Sequence, residues 1–279
     1  MRIRCNRPAG DHASLEAAIN AVPDDGFCVV RLNDVSADID FNESVVIDGG
    51  KRIAFLNAEV GDIEVTIEGT GDPTFTVSDA SEVYLHRLRV SGNGSDLGLQ
   101  VSGNNSSLDL DRTEVVQNAG GGIAVAAGAY LRLRNSIVGG NGAAAAVSVA
   151  SGIADILAAT LVGPGINGRA LSCGVAGSAT ARNSLFFGED DNDEVNCADL
   201  DVTYSASEQA LAGTGNESVE LTDTSFQTFP SANFHLSLGG AALVDDIARW
   251  TTGDPLVDID GEPRAGVDGT MEHAGADIP

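Results

Sequence analysis

The chain has 279 residues, of which 41 are acidic and 15 are basic, giving a formal net charge of −26. This charge argues against a nucleic-acid-binding protein, because a phosphate backbone would be repelled and no basic stripe offsets the repulsion. Hydrophobic residues make up 43% of the chain, too many for a disordered acidic tail. The 34 glycines argue against a helix bundle, since each glycine inside a helix costs about 1 kcal/mol.

The first predicted element is an amphipathic helix over residues 11–22. Asp11 is the expected N-cap, and Pro23 ends the helix. The apolar positions with helical spacing are Leu15, Ala18, Ile19 and Val22. The N-terminus contains no continuous apolar segment, so we expect no signal peptide in this chain. We also expect no membrane span, because no stretch is long and apolar enough.

Short strand-like runs follow the helix, and they repeat along the chain. One column recurs every 24 residues at Phe75, Leu99, Ile123, Val147 and Leu171. A second column falls at Leu85, Leu110, Leu133, Leu157 and Ala181, and a third at Val90, Val115, Val138, Val162 and Phe186. A unit of about three short strands cannot bury its own apolar face, whereas stacked units share one core. The repeat therefore predicts an all-β chain, a single right-handed parallel β-helix with coils of about 24 residues.

Asparagine recurs after the third column, at Asn93, Asn118, Asn141, Asn167 and Asn192. Asparagine tolerates the left-handed conformation of a tight corner, and stacked amides hydrogen-bond along a column. These positions predict an asparagine ladder, with ordinary loop asparagines as the alternative. An antiparallel β-sandwich is the rival architecture, but a sandwich shows no residue-level identity at a fixed step.

The two ends differ from the repeats and are interpreted as caps that cover the open ends of the coils. Residues 1–30 are expected to form an N-terminal cap with the short helix. Residues 31–238 form the coils, with the last clear strand at 234–238. Residues 239–279 form a turn-rich C-terminal cap, and all three regions belong to one structural domain.

Four cysteines permit two disulfides with three alternative connectivities. We expect the local pairs Cys5–Cys28 and Cys173–Cys197, with free buried thiols as the main alternative. A metal site is disfavoured, because the chain has no CxxC pair and no histidine at zinc-ligand spacing from a cysteine. Disulfides would imply an oxidising compartment.

Both ends of the chain resemble a known group of proteins. The opening SLEAAINAV, followed by strands, resembles the capping start of pectin-lyase-like β-helix proteins. The closing FHLSLGGAALVD and the DIDGEPR of residues 258–264 resemble the end of bacterial surface proteins of the choice-of-anchor Q type. Residues 268–277 depart from the last part of that pattern. The resemblance covers nearly the whole chain and implies an extracellular or cell-surface protein, without implying an activity.

Five charged residues are expected to share one face of two stacked coils: Asp109, Asp111, Arg112, Arg132 and Arg134. The resembled fold hosts polysaccharide lyases and hydrolases, and clustered aspartates with an arginine suit a polysaccharide-binding or lyase site. The alternative is a cross-strand ion-pair ladder, which is typical of the solvated face of a sheet. His86, stacked over Asp111, fits that alternative.

Ca²⁺ is the one cofactor that the sequence suggests, because hard cations bind clustered carboxylates. The candidate ligands are Asp190, Asp191 and Asp193 in an acidic loop, and Asp258 and Asp260 near the C-terminus. A solvated loop and a cap turn are the ordinary alternatives at the two places.

These observations predict a non-catalytic, structural or adhesive rod, secreted or displayed at the cell surface. It would present a long face to polysaccharides or to other surface proteins. A polysaccharide lyase or glycosidase is the first alternative. A self-assembling, tailspike-like appendage, and so a homo-oligomer, is the second.

Overall fold

The computed structural model describes residues 2–6, 9–33, 39–57, 65–142, 145–165, 168–188 and 194–279. For residues 2–6, 9–11, 33 and 39 it describes the backbone. Several predicted residues lie outside the described part of the chain: the ladder asparagines Asn167 and Asn192 and the candidate calcium ligands Asp190, Asp191 and Asp193.

The described chain forms a parallel β-solenoid of about seven turns, with 49% of residues in strands and 8% in helices. This confirms the predicted parallel β-helix class. Strands of successive turns pair in parallel and build three long sheets. Two long strands, Ala145–Leu157 and Arg169–Arg182, continue around a corner and belong to both the first and the second sheet.

The first sheet also contains Val45–Ile47, Phe75–Val77, Leu97–Ser102, Gly121–Ala126 and Val195–Asn196. The second sheet also contains Phe27–Asn33, Arg52–Asn57, Glu82–His86, Ser107–Asp111, Ala129–Arg134 and Leu200–Thr203. The third sheet contains Ile39–Asn42, Val65–Glu68, Arg89–Ser91, Glu114–Val116, Ile137–Gly139, Thr160–Val162, Leu185–Phe187, Ala206–Ser207 and Glu217–Ser218.

The strand registers confirm the first predicted column, whose five members pair in sequence and are all buried. The predicted register of the other two columns is wrong by one residue in one turn. There Ile156 takes the core position predicted for Leu157, and Leu161 takes that predicted for Val162. A one-residue slip exchanges the two faces of a strand. The pattern misled because Leu157 and Val162, although apolar, face outward beside residues of the C-terminal region.

The asparagine ladder is confirmed for its described members, Asn93, Asn118 and Asn141, which are buried. The side-chain oxygen of Asn118 accepts a hydrogen bond from the backbone N–H of Asn93 (3.3 Å). That of Asn141 accepts from the backbone N–H of Asn118 (2.9 Å) and from its side-chain amide (3.0 Å). The ladder ties successive turns together at the corner between the third and first sheets.

The N-terminal helix spans Leu15–Asn20 and is shorter than predicted, with Ser14 rather than Asp11 as its N-cap. The predicted helix start fails because Ala9–His12 is a strand, paired antiparallel with Arg2–Asn6. The predicted apolar face is correct, since its four residues are buried in the solenoid core. The carboxylate of Glu43 accepts the first two N–H groups of the helix (3.1 and 3.0 Å) and fastens it to the coils.

The parallel turns end at Ser218, earlier than the predicted boundary at residue 238. Residues 219–279, here called the C-terminal segment, fold back along the side of the solenoid. Their elements are the 3-10 turns Asp223–Ser225 and Phe229–Ser231, the helix Leu238–Val244, and the strands Phe226–Thr228, Asn233–Leu236, Ala248–Arg249 and Met271–Glu272. The strand predicted at 234–238 is Asn233–Leu236, and it pairs antiparallel with Phe226–Thr228.

The C-terminal segment covers the outer face of the third sheet with a second apolar core. The sheet contributes Val116, Ile137, Val162, Leu185 and Phe187. The segment contributes aromatic residues such as Phe226 and Phe234, whose ring centroids lie 5.9 Å apart. The third sheet is therefore buried on both faces at Ile137–Gly139, Thr160–Val162 and Leu185–Phe187, which explains why these strands are mostly apolar.

The disulfide Cys173–Cys197 links two adjacent turns, with a Cα–Cα distance of 4.5 Å, and confirms one predicted pair. Cys28 is also disulfide-bonded. The side chain of its predicted partner, Cys5, lies outside the described part of the chain, so this second pair stays a prediction.

Candidate functional site

The corner between the second and third sheets is made by one left-handed residue in each turn. These residues are Arg87, Arg112, Asn135, Ala158, Asn183 and Tyr204. Three of them donate side-chain hydrogen bonds to backbone carbonyls of the C-terminal segment: Arg112 to Ile259 (2.9 Å), Asn135 to Val257 (2.7 Å) and Asn183 to Arg249 (3.1 Å). The corner is thus the line along which the C-terminal segment attaches.

Residues 253–257 form one wall of a groove whose floor is the outer face of the second sheet. A cavity of about 450 Å³ in this groove is lined by all five predicted site residues, Asp109, Asp111, Arg112, Arg132 and Arg134, together with Tyr84 and His86. An adjoining cavity of about 400 Å³ shares Arg134 and extends to Thr203. The groove crosses six strands spaced about 4.8 Å apart, so it is roughly 24 Å long.

One column of the groove floor is the cross-strand ion-pair ladder that the sequence suggests as the alternative to a binding site. Asp109 and Arg132 are in register, and their side chains lie 3.4 Å apart. Arg132 also lies 3.5 Å from Asp155 of the next turn. The phenol of Tyr130 donates a hydrogen bond to Asp155 (3.2 Å). The guanidinium of Arg132 lies 5.3 Å from the centre of the Tyr130 ring. Arg132 is therefore held between two carboxylates.

The neighbouring column is different, because Asp111 bonds to the preceding turn and not to the following one. The phenol of Tyr84 donates to Asp111 (3.1 Å), and the Nδ1 atom of His86 lies 3.0 Å from the same oxygen. The rings of Tyr84 and His86 are stacked, with centroids 6.0 Å apart. This places a carboxylate, an imidazole and a phenol in direct contact at one end of the groove.

Arg134 follows Asp111 in register, yet its guanidinium forms no hydrogen bond or ion pair with any residue that the structure describes. Its Nε atom is inaccessible to solvent and has no hydrogen-bond partner among them. Arg134 lines both cavities and so stands at their junction. Each other arginine of the groove is held, since Arg112 bonds to a carbonyl and Arg132 and Arg182 to carboxylates.

Burial changes the acidity of two groups on the groove floor. It raises the pKa of Asp109 above the usual value, although Arg132 and Arg134 oppose the rise. Burial and the nearby carboxylate of Asp111 raise the pKa of Tyr84 well above its usual value, so the phenol keeps its proton. The groove therefore offers a carboxyl group that holds a proton more readily than usual, beside a hydrogen-bonded carboxylate.

The candidate calcium ligand Asp258 is buried and closes a turn. One of its oxygens accepts the N–H groups of Asp260 (3.0 Å), Gly261 (2.8 Å) and Glu262 (2.8 Å). The other accepts the N–H of Ile278 (2.9 Å). Both oxygens are thus taken by the protein's own backbone.

The second candidate, Asp260, lies in a cluster around His235. The Nδ1 atom of His235 is 2.9 Å from Asp260 and 3.6 Å from Asp277, and its Nε2 atom is 3.5 Å from Glu114. Arg89 pairs with the other oxygen of Glu114 (2.8 Å). Burial alone would lower the pKa of His235, but the three carboxylates outweigh burial and raise it to about 12.

Sequence reasoning identified the floor of the groove but missed its wall and the histidine cluster. Residues 253–257 carry no repeat, and only folding of the C-terminal segment brings them to the second sheet. His235 and Asp277 were visible only as parts of the end motifs. Their approach to Glu114 depends on tertiary contacts that no periodicity reveals.

Within the described residues, no helix has the length and apolar character needed to cross a bilayer. No protein-family model, curated protein or solved structure matches the chain.

Proposed function

We propose that this protein is a secreted or surface-displayed, pectin-lyase-like solenoid that binds an acidic polysaccharide in the groove beside the C-terminal segment. The observation that carries the proposal is Arg134, an arginine without a partner among the described residues at the junction of two cavities. Guanidinium groups donate two parallel hydrogen bonds to a carboxylate, and a guanidinium that no carboxylate of the protein occupies is ready to bind one.

The shape of the groove supports a linear sugar chain as the ligand. Its length of roughly 24 Å exceeds that of a small metabolite and follows the stacked strands. The stacked rings of Tyr84 and His86 offer an apolar face for a sugar ring, next to polar groups that fix orientation. A uronic acid combines such a ring with the carboxylate that Arg134 lacks.

The net negative charge of the chain does not prevent an acidic ligand from binding inside the groove. Salt screens charges beyond about 8 Å at physiological ionic strength. Contacts inside the groove therefore decide whether a carboxylate binds. Arg134 is the groove arginine whose guanidinium forms no hydrogen bond or ion pair with a described residue, although its charge acts on Asp109.

The cysteines support the proposed extracellular location, and the end motifs support the proposed family resemblance. The disulfide Cys173–Cys197 fits an oxidising compartment outside the cytosol. Residues of the choice-of-anchor-like end motifs contact one another, because Asp258 binds the N–H of Ile278 and Arg264 binds the carbonyl of Gly275 (2.7 Å). Such contacts give these motifs an architectural role, as the resemblance implies.

Isothermal titration with a uronic acid oligomer tests the proposal, with a neutral oligomer of equal length as the comparison ligand. The wild type is expected to bind the acidic oligomer more tightly than the neutral one. Arg134→Ala should weaken acidic binding roughly tenfold to a hundredfold, the usual effect of losing a charge-assisted pair. Arg31→Ala, an exposed arginine on an earlier strand of the same sheet, is the matched control and should bind normally. Equal binding by Arg134→Ala and Arg31→Ala would refute the groove as the site.

A second candidate function is cleavage of the bound polysaccharide. It rests on the contact of Asp111 with Tyr84 and His86, beside Asp109 with its raised pKa. A carboxyl group of raised pKa next to a second carboxyl that contacts a phenol and an imidazole is an arrangement that acid–base catalysis uses. Release of reducing ends or of unsaturated uronate by the wild type, abolished in Asp111→Asn, would support cleavage. Binding without any product from a panel of acidic polysaccharides would leave the chain as a binding protein.

A further inference from the structure

The cluster around His235 lies outside the groove, where four parts of the chain meet. His235 belongs to the strand Asn233–Leu236 of the C-terminal segment. Asp260 follows in the turn closed by Asp258, and Asp277 lies near the end of the chain. Glu114 belongs to the third sheet.

We propose that His235, Asp260 and Asp277 form a binding site for a divalent transition-metal ion of the Zn²⁺ class, which fastens the C-terminal segment to the solenoid. One donor atom from each of the three residues lies within 4.8 Å of the other two. This inference is independent of the polysaccharide-binding groove.

The separations of the donor atoms suit a tetrahedral ion. The Nδ1 atom of His235 is 2.9 Å from an oxygen of Asp260 and 3.6 Å from an oxygen of Asp277. With metal–ligand bonds of about 2.0–2.1 Å, the donors of a tetrahedral zinc site are roughly 3.3 Å apart. The two observed distances lie on either side of that value, so small side-chain shifts would place all three donors. The fourth position would take a water molecule.

The charges of the cluster also favour a divalent ion. Asp260, Asp277 and Glu114 share the single positive charge of His235, and the side chain of Asp277 is only 4% exposed. Arg112 acts on the half-exposed Asp260 as well and keeps its charge while its Nε donates to the carbonyl of Ile259, so the buried Asp277 is the aspartate that depends most on His235. Burying a carboxylate without an equal positive charge is costly. A divalent ion on a neutral imidazole would balance both aspartates.

Glu114 supplies an independent observation that points to the same ligand. It faces the Nε2 atom of His235 at 3.5 Å, on the side of the ring away from the two aspartates. Arg89 fixes the carboxylate of Glu114 with a contact of 2.8 Å. Metal-binding histidines usually present their second nitrogen to a carboxylate, which orients the ring and selects its tautomer. Glu114 would keep the proton on Nε2 and leave Nδ1 for the metal.

The donor set selects the kind of ion. Imidazole and carboxylate together suit Zn²⁺ and its neighbours, whereas Ca²⁺ prefers six to eight oxygen ligands. The side chain of Asp260 is 51% exposed and provides a route from solvent to the otherwise buried donors. We therefore expect Zn²⁺ to bind and Ca²⁺ to leave this site unchanged.

The test uses the full chain, stripped of metal with a chelator and then titrated with Zn²⁺ or Ca²⁺ during thermal unfolding. Zn²⁺ should raise the melting temperature of the wild type, and Ca²⁺ should not. Glu114→Gln should weaken Zn²⁺ affinity about 10–100-fold, the usual cost of losing such a supporting carboxylate. His235→Gln should abolish the response. His273→Gln is the matched control, because His273 contacts Asp245 at 3.6 Å on the same segment and is not part of the cluster.

A second measurement keeps the test decisive if His235→Gln does not fold. Asp260→Asn alters the half-exposed ligand, and Co²⁺ bound in place of Zn²⁺ reports tetrahedral coordination by strong visible absorption. The proposal predicts this absorption in the wild type and in His273→Gln, and its loss in Asp260→Asn. Absence of any Zn²⁺ effect and of the Co²⁺ spectrum in the wild type would overturn it. Equal responses in Asp260→Asn and His273→Gln would overturn it as well.

Discussion

The guanidinium of Arg182, on the second sheet, binds both carboxylate oxygens of Asp254, which follows 72 residues later in the C-terminal segment. The Asp254 side chain is buried and also accepts the backbone N–H of Thr251 (2.8 Å). This ion pair joins the floor of the groove to its wall. Trp250, the single tryptophan, is buried in the same loop and donates to the carbonyl of Pro255 (3.0 Å). Its fluorescence therefore reports whether the wall is in place.

Replacing Asp254 by alanine is expected to detach the wall of the groove. The change leaves Arg182 without its counter-charge, and breaking such a pair costs about 3 kcal/mol of the free energy of unfolding. In a urea titration, the emission of Trp250 should shift to longer wavelength at a lower midpoint than in the wild type. Glu220→Ala, an exposed change in the same segment, is the control. Coincident midpoints for the two variants would show that the ion pair does not hold the wall.

The contribution of Asp254 to the free energy of unfolding should disappear at acidic pH. Burial by itself would raise the pKa of Asp254, but hydrogen bonds from Arg182 and Thr251 outweigh burial and lower the pKa below its usual value of 3.8. A lowered pKa stabilises the folded state fully above the usual pKa, and the effect is lost as pH falls through the folded-state pKa. The stability difference between wild type and Asp254→Asn should stay constant down to about pH 5 and shrink below about pH 4. A difference that persists in stronger acid would contradict this assignment.

The asparagine ladder should be a main source of stability in the coils. Asn118 is buried, donates to the carbonyls of Val90 (3.1 Å) and Val116 (3.0 Å), and bonds to the asparagines of both neighbouring turns. Asn118→Ala leaves several buried groups unpaired and should lower the free energy of unfolding by about 2–3 kcal/mol. Asn104→Ala, on an exposed turn, should change it by no more than about 0.5 kcal/mol. Similar unfolding midpoints for the two variants would mean that the ladder contributes little.

The disulfide Cys173–Cys197 should stabilise the folded protein, because it joins two residues that are 24 positions apart in the chain. Closing a loop of this size in the unfolded chain is worth about 3 kcal/mol in the chain-entropy model. The double variant Cys173→Ser, Cys197→Ser should therefore unfold at lower denaturant than the wild type under oxidising conditions. Under reducing conditions the gap should narrow. A gap of equal size in both conditions would indicate that lost packing, and not the covalent link, causes the destabilisation.

The coils were predictable because every turn of about 24 residues must place apolar residues at the same positions in the core. Leu110 and Leu133 stack because an apolar residue is needed at that core position in every turn. Val162 was misassigned because the C-terminal segment covers the outer face of the third sheet with apolar residues, so that hydrophobicity no longer distinguishes inside from outside there. The all-apolar strand Leu185–Phe187 was the available signal for this cover.

The site was predictable to a smaller extent. Asp109 and Arg132 could be paired from the register, which follows from the repeat. The unpaired state of Arg134 could not, because it depends on Asp111 turning toward Tyr84. The groove itself could not be foreseen either, since its wall is a single, non-repeated segment.

A structure of the protein with a bound uronic acid oligomer would show directly whether Arg134 binds the ligand. We expect an oligomer that lies along the second sheet, with one carboxylate accepting two hydrogen bonds from the guanidinium of Arg134. An oligomer bound elsewhere, or one in the groove that leaves Arg134 without a carboxylate, would contradict this expectation.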